Sequence, residues 1–164
     1  MSMGYFQYDF IVKNNKYEHN PVVLADDDQT SYWSTWGWGE GNLNIEISNN
    51  SSTLQSGTNS LQIQIISGNK ATPYLYHTFS PLADWSMYDF LSCWWYGINS
   101  NAKHIFYIYF NSSDNYGRYE FQDNFLGWQR LIFPLRVPSS LVGTMDLANI
   151  YRLLLANFNE ELGN

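Results

Sequence analysis

Residues 88–100 read YDFLSCWWYGINS and place two tryptophans and a tyrosine side by side in a strand-like run. Neighbouring side chains of a strand point to opposite faces. Trp94 and Trp95 therefore cannot share one core. By parity Leu91, Cys93 and Trp95 form one face, and Ser92, Trp94 and Tyr96 the other. The first set, an aliphatic residue and a thiol beside one large ring, makes the better core. Trp95 is then the packing ring and Trp94 is left for another task.

The same pattern recurs along the chain. YFQYDFIV, LNIEI, SLQIQII, PYLYHTF, HIFYIYF, GRYEF and WQRLIFPL are short alternating runs rich in aromatic and β-branched residues, parted by Gly, Asn, Ser and Asp. LANIYRLLLANF has some helical character, but its leucine run fits a buried strand as well, and the reading leans to strand. Closely spaced strands with turn chemistry between them predict an all-β fold, an antiparallel β-sandwich or barrel. A length of 164 residues predicts a single domain over 1–164 with a sizeable core.

Parity extends to the other strands. Phe106, Ile108 and Phe110 oppose Ile105, Tyr107 and Tyr109; Leu131, Phe133 and Leu135 oppose Trp128, Arg130 and Ile132; Tyr119 and Phe121 oppose Arg118 and Glu120. If these strands are neighbours, one outer face carries Trp94, Tyr96, Tyr107, Tyr109, Arg118, Glu120 and Arg130. Rings stack on the C–H face of a pyranose, and Arg and Glu each meet adjacent hydroxyls at its edge. The plain alternative is that a loop or partner covers this face as ordinary packing.

Composition supports a neutral, hydroxyl-rich ligand. Only 14% of residues are charged and 18% are aromatic, so much of the polar surface is uncharged. The formal net charge is −7, with the basic residues scattered. That balance argues against nucleic acid, which needs a basic patch to displace counterions, and against anionic membrane surfaces. No run approaches the length of a membrane span. The lone cysteine, Cys93, allows no intrachain disulfide and reads as a core thiol. Sequons at Asn49, Asn50 and Asn111 read as exposed loops.

DWSMYDFLSCWWYG, YEFQDNFLGWQRLIFPLR and GTMDLANIYRLLLANFN resemble the calcium-containing jelly-roll carbohydrate-binding modules with a galactose-binding-domain-like fold. The matching motifs are W-S-x-Y-D-x-L-S-x-W at Trp85 to Trp94, G-W-Q-x-h-x-h-P (h, apolar) at Gly127 to Pro134, and D-L-x-x-I at Asp146 to Ile150. VVLADDDQTSYWSTW and LQSGTNSLQIQI resemble the family's acidic first strand and its second strand. The resemblance covers about residues 22–158, with 1–20 as an N-terminal extension or edge strand. It implies a jelly roll that binds polysaccharide without catalysis, outside the cell or at its surface.

It also implies a structural calcium ion. Matched by position, its ligands fall on Asp26, Asp27 or Asp28 and on the loop of Gln55, Gly57 and Ser60, where backbone carbonyls would serve. Six to eight oxygens are what calcium requires. After LLLANFNEELGN the pattern would add a strand with an acidic pair, which this sequence lacks. Three readings follow: a truncated end, GYFQYDFIV in that edge place, or a degraded calcium site.

The remaining candidates are weaker. WGWGEG at 36–41 lacks the setting of a phosphate loop and reads as an aromatic loop. Trp36 and Trp38, with Trp33, would rim a binding groove or cap the sandwich. His19, His77 and His104 are isolated and lack zinc spacing. A glycoside hydrolase needs two carboxylates across the scissile bond. Glu120 is the best outer-face acid, with Glu46 or Asp114 as partner, but no paired carboxylates stand on matched strands. The reading is a non-catalytic module for neutral β-linked polysaccharide or oligosaccharide. Trp94, Tyr96, Tyr107 and Tyr109 would stack, while Arg118, Glu120 and Arg130 would bond hydroxyls. Its rival is a structural module that turns the aromatic face to other domains of a larger protein.

Overall fold

A computed structural model describes residues 3–7, 11–12, 22–23, 32–38, 44–50, 52, 60–67 and 72–158. The strands are β1 (Met3–Gln7), β2 (Ile11–Val12), β3 (Val22–Val23), β4 (Ser34–Trp38), β5 (Asn44–Asn50), β6 (Ser60–Ser67) and β7 (Thr72–Ala83). They continue with β8 (Phe90–Ile98), β9 (Lys103–Phe110), β10 (Tyr116–Gln122), β11 (Leu126–Pro134), β12 (Ser140–Val142) and β13 (Ile150–Phe158). All strand pairings are antiparallel. A five-stranded sheet runs β11-β8-β1-β6-β5, a six-stranded sheet runs β12-β10-β9-β13-β7-β4, and β2 pairs with β3. The fold is an antiparallel β-sandwich of the jelly-roll kind.

The alternation read from the sequence builds the seam between the sheets. Leu91, Cys93 and Trp95 of β8 and Leu131 and Phe133 of β11 meet Phe106, Ile108 and Phe110 of β9 and Leu153 and Leu155 of β13. Rings interlock across it: Phe106 meets Phe133 edge-on at 5.1 Å, and Trp95 meets Phe121 at 5.0 Å. Burial drives the Cys93 thiol pKa far up, so it stays an inert packing group. The resembling motifs serve this seam. Trp85, Leu135 and Leu147 are buried in it, the Trp85 N–H donates to the Leu147 carbonyl (2.6 Å), and the Tyr119 hydroxyl donates to the Leu135 carbonyl (2.6 Å).

One end of the seam is strapped by a buried carboxylate. The crossovers β8–β9 and β10–β11 each pass from one sheet to the other. Asp123, between β10 and β11, accepts the Ser100 hydroxyl (2.6 Å) and the N–H of Ile98 (3.1 Å) from the other crossover. Phe125 lies so close to Gly97 that an added Cβ would stand 2.5 Å from its ring. Only glycine fits there without displacing it.

Several expectations change. YFQYDFIV is not one strand: β1 and β2 pair in different sheets, and β1 stands inside the five-stranded sheet between β8 and β6 rather than at an edge. Trp36 and Trp38 lie in strand β4, not in a loop. Asn49 and Asn50 end strand β5, while Asn111 sits exposed in the β9–β10 turn. LANIYRLLLANF forms β13, as its leucines suggest. Asp26, Asp27, Asp28, Gln55 and Gly57 lie outside the described residues, and Ser60 opens β6 opposite Asn50.

Candidate functional site

The sandwich divides the predicted aromatic face in two. Trp94 and Tyr96 of β8 and Arg130 of β11 lie on the outside of the five-stranded sheet. Tyr107 and Tyr109 of β9, with Arg118 and Glu120 of β10, lie on the outside of the six-stranded sheet. Packed sheets stand about 10 Å apart and their outer side chains point away from each other, so one sugar chain cannot stack on both sets. Each strand's parity was right. The assumption that β8 neighbours β9 in a sheet was not.

On the six-stranded sheet the register brings together more residues than the sequence suggested. One row across the strands runs Thr78, Arg152, Tyr109, Tyr116. The next runs Ser34, Tyr76, Leu154, Tyr107, Arg118, and a third Trp36, Tyr74, Ala156, Ile105, Glu120. Ile105, Leu154 and Ala156 form a buried outer layer, covered by Tyr74, Tyr76, Tyr107 and Tyr109. The tyrosines are half-buried, so each packs one side on this layer and shows the rest to solvent. Tyr107 and Tyr109 are near-parallel at 6.1 Å, and Tyr116 stands at 5.5 Å from the first and 5.3 Å from the second.

Charge flanks the platform on both sides. Glu120 is held between Lys103 and Arg118, whose Nε lies 2.8 Å from Oε1 as an ion contact rather than an aligned hydrogen bond. Arg152 stands at the opposite side, its guanidinium 4.8 Å from the Tyr76 ring centroid. Burial pushes the Tyr109 phenol up to about 12, opposed by nearby Arg152, and raises that of Tyr107, opposed by Arg118. Both phenols are therefore neutral at ordinary pH and can donate or accept hydrogen bonds. The arrangement offers apolar rings with polar rims.

On the other outer face the described side chains carry fewer rings. Tyr96 and Trp128 meet edge-on at 5.3 Å, and half-buried Trp94 stands opposite Arg130 in the register. Arg130 Nη2 donates to the Ser92 hydroxyl at 3.2 Å. Around them Leu126 is 78% exposed and Ile132 56% exposed.

Trp33 is no groove rim. It is 7% exposed and belongs to the main core, edge-on to Tyr32 at 5.7 Å and to His77 at 6.2 Å. His77 stacks on Tyr32 at 3.5 Å and its Nδ1–H donates to the Tyr32 carbonyl (2.7 Å). Trp36 and Trp38 stand opposite Tyr74 and Thr72 in the register of the edge strand β4. Neither proposed partner of Glu120 stands beside it. Glu46 is in the other sheet, and Asp114 is in the β9–β10 turn, six positions along the hairpin, roughly 20 Å away at strand rise. Among the described residues no three of His, Cys, Asp and Glu gather to hold a metal.

Parity on β7 would have revealed Tyr74 and Tyr76, because they alternate with Leu75 and His77. Nothing in the sequence marks Arg152, whose direction depends on a bulge in β13.

No family model and no curated protein matches the chain. Solved structures do. A family 11 carbohydrate-binding module from Clostridium thermocellum, in complex with a β-1,3-1,4-mixed-linked tetrasaccharide, superposes with a TM-score of 0.58 at 14% identity, over 82% of this chain and 85% of that one. The family 11 module of a cellulosomal cellulase of Clostridium thermocellum gives 0.59 at 13% identity, over 83% and 84%. At such low identity the likeness is one of fold. The chain shares the β-sandwich fold of these carbohydrate-binding modules.

Proposed function

We propose that the chain is a non-catalytic carbohydrate-binding module and that its ligand, a neutral β-linked polysaccharide of the β-glucan kind, lies on the tyrosine face of the six-stranded sheet. The observation that carries this is the platform itself: Tyr74, Tyr76, Tyr107 and Tyr109 over one buried layer, with Tyr116 against the last two, flanked by Arg118, Glu120 and Arg152. Rings supply apolar contact, and phenols, guanidinium and carboxylate supply bonds to hydroxyls. The fold likeness to a module carrying a mixed-linked tetrasaccharide supports the choice of sugar. An extracellular or cell-surface setting, attached domains and a structural calcium ion at Asp26, Asp27 or Asp28 belong to the same proposal.

The assembly reading draws support from the other face, where exposed Leu126 and Ile132 border Trp128 at an edge strand. Calorimetric titration with mixed-linkage glucan, xylan, mannan and galactan separates the two. Saturable binding to the glucan is expected, with Kd on the order of 1 μM to 1 mM. No binding to any of the four, with calcium present, would reject the carbohydrate reading.

A further inference from the structure

Arg152 owes its direction to an irregularity. β13 sets Ile150 opposite Phe110 of β9 and then Arg152 opposite Tyr109, the next residue along, so Tyr151 is an extra residue. Strict alternation would put Ile150 and Arg152 on one side. The bulge reverses the parity, so that Ile150 fills the core while Arg152 emerges beside the tyrosines. Bulges are known to re-aim side chains in this way.

The guanidinium is then held. Its Nε donates to Thr78 Oγ1 (2.9 Å), its Nη2 donates to the Tyr151 hydroxyl (3.2 Å), and it stands 4.8 Å from the Tyr76 centroid and 5.0 Å from that of Tyr151. These bonds use two of its five N–H donors. Among the described residues no carboxylate forms an ion pair with it, whereas Lys103 and Arg118 share Glu120. Among the described residues the face thus sets three cations, Lys103, Arg118 and Arg152, against one carboxylate, on a chain whose formal net charge is −7.

We propose that the Arg152 side of the tyrosine face receives a carboxylate on the bound sugar chain, so that the module prefers a β-linked polysaccharide bearing uronic acid. The inference rests on the reading of that face as the sugar site. A fixed planar fork with free donors matches a carboxylate in two parallel bonds, which a single hydroxyl cannot match. The stacked phenols beside it hold the guanidinium without neutralising it.

The test compares a mixed-linkage glucan tetrasaccharide with the same tetrasaccharide carrying one glucuronate at either end, titrated into the whole chain at low and high salt. The glucuronate form is expected to bind roughly tenfold tighter at low salt, with a smaller advantage at high salt. Arg152→Gln should abolish the advantage, bringing the affinities for the two sugars level even if both fall together, and Arg152→Lys should restore part of it. Equal binding of both sugars by the wild-type chain, or a full advantage in Arg152→Gln, would overturn the inference and leave the sugar site standing. Failure of both sugars to bind would overturn the inference together with the sugar site.

Discussion

The two outer faces of the sandwich both carry aromatic rings, and they differ in what surrounds those rings. On the six-stranded sheet five tyrosines span β7, β9 and β10, four of them on a buried aliphatic layer with Tyr116 against two of these, and they are bordered by ions. On the five-stranded sheet the described rings, Trp94, Tyr96 and Trp128, sit on two strands at one edge, beside exposed Leu126 and Ile132, and Arg130 is turned onto Ser92. A ring with a polar rim can bind a ligand that is itself half apolar and half hydroxyl. Rings among exposed aliphatics suit a drier contact. Aromatic content alone does not identify a site; the polar groups at the ring edges do.

The largest effect that sharpens the contrast comes from the adjacent tryptophans. Trp95, 3% exposed in the seam, supports both faces, so Trp95→Ala should cost about 3–5 kcal/mol of stability. Half-buried Trp94 supports one face, and Trp94→Ala should cost under about 1 kcal/mol. Urea unfolding of both variants checks this; equal losses would mean that the parity of β8 is wrong.

Next in size is the pH response of the seam. His104 is buried between Trp95 (4.7 Å) and Phe121 (4.9 Å), with neither ring nitrogen hydrogen-bonded. Burial lowers its pKa to about 4, with Asp123 opposing, so folding holds it neutral. The unfolded chain takes up the proton near pH 6.5 and the folded chain only near 4. Stability is therefore full above about pH 6.5 and falls by up to about 3 kcal/mol as pH drops through that window. Melting curves between pH 7 and 4 should show the fall, and His104→Leu should flatten it. An unchanged slope in that variant would assign the acid sensitivity elsewhere.

A smaller effect is expected of the proposed calcium ion, read on stability. If the acidic stretch at Asp26, Asp27 and Asp28 takes the ion, a hundredfold excess over Kd should stabilise the chain by about 2.7 kcal/mol. Melting with calcium and then with chelator reads this, and coincident curves would remove calcium from the proposal.

These comparisons also show where the sequence was legible. Alternation placed Leu91, Cys93, Trp95, Phe106, Ile108, Phe110, Leu131 and Phe133 in the core, because period-two burial is a local property of each strand. It could not place β8 and β9 in different sheets, since pairing is a long-range choice that both strands satisfy equally. The same limit hides β1, which inserts between β8 and β6, and leaves Trp33, buried in the core, open between groove rim and sandwich cap. Arg152 was beyond reach for another reason: one extra residue inverts the face, and no residue type announces it.

The central claim, that the tyrosine face and not the Trp94 face takes the sugar, is tested most directly by one paired titration. Tyr107→Ala/Tyr109→Ala and Trp94→Ala/Trp128→Ala are each titrated with mixed-linkage glucan by calorimetry, after circular dichroism shows both folded. The tyrosine pair should lose binding by about 100-fold or more, near 3 kcal/mol, while the tryptophan pair binds as the wild type does. Loss in the tryptophan pair with binding intact in the tyrosine pair would contradict the account and move the site to the five-stranded sheet.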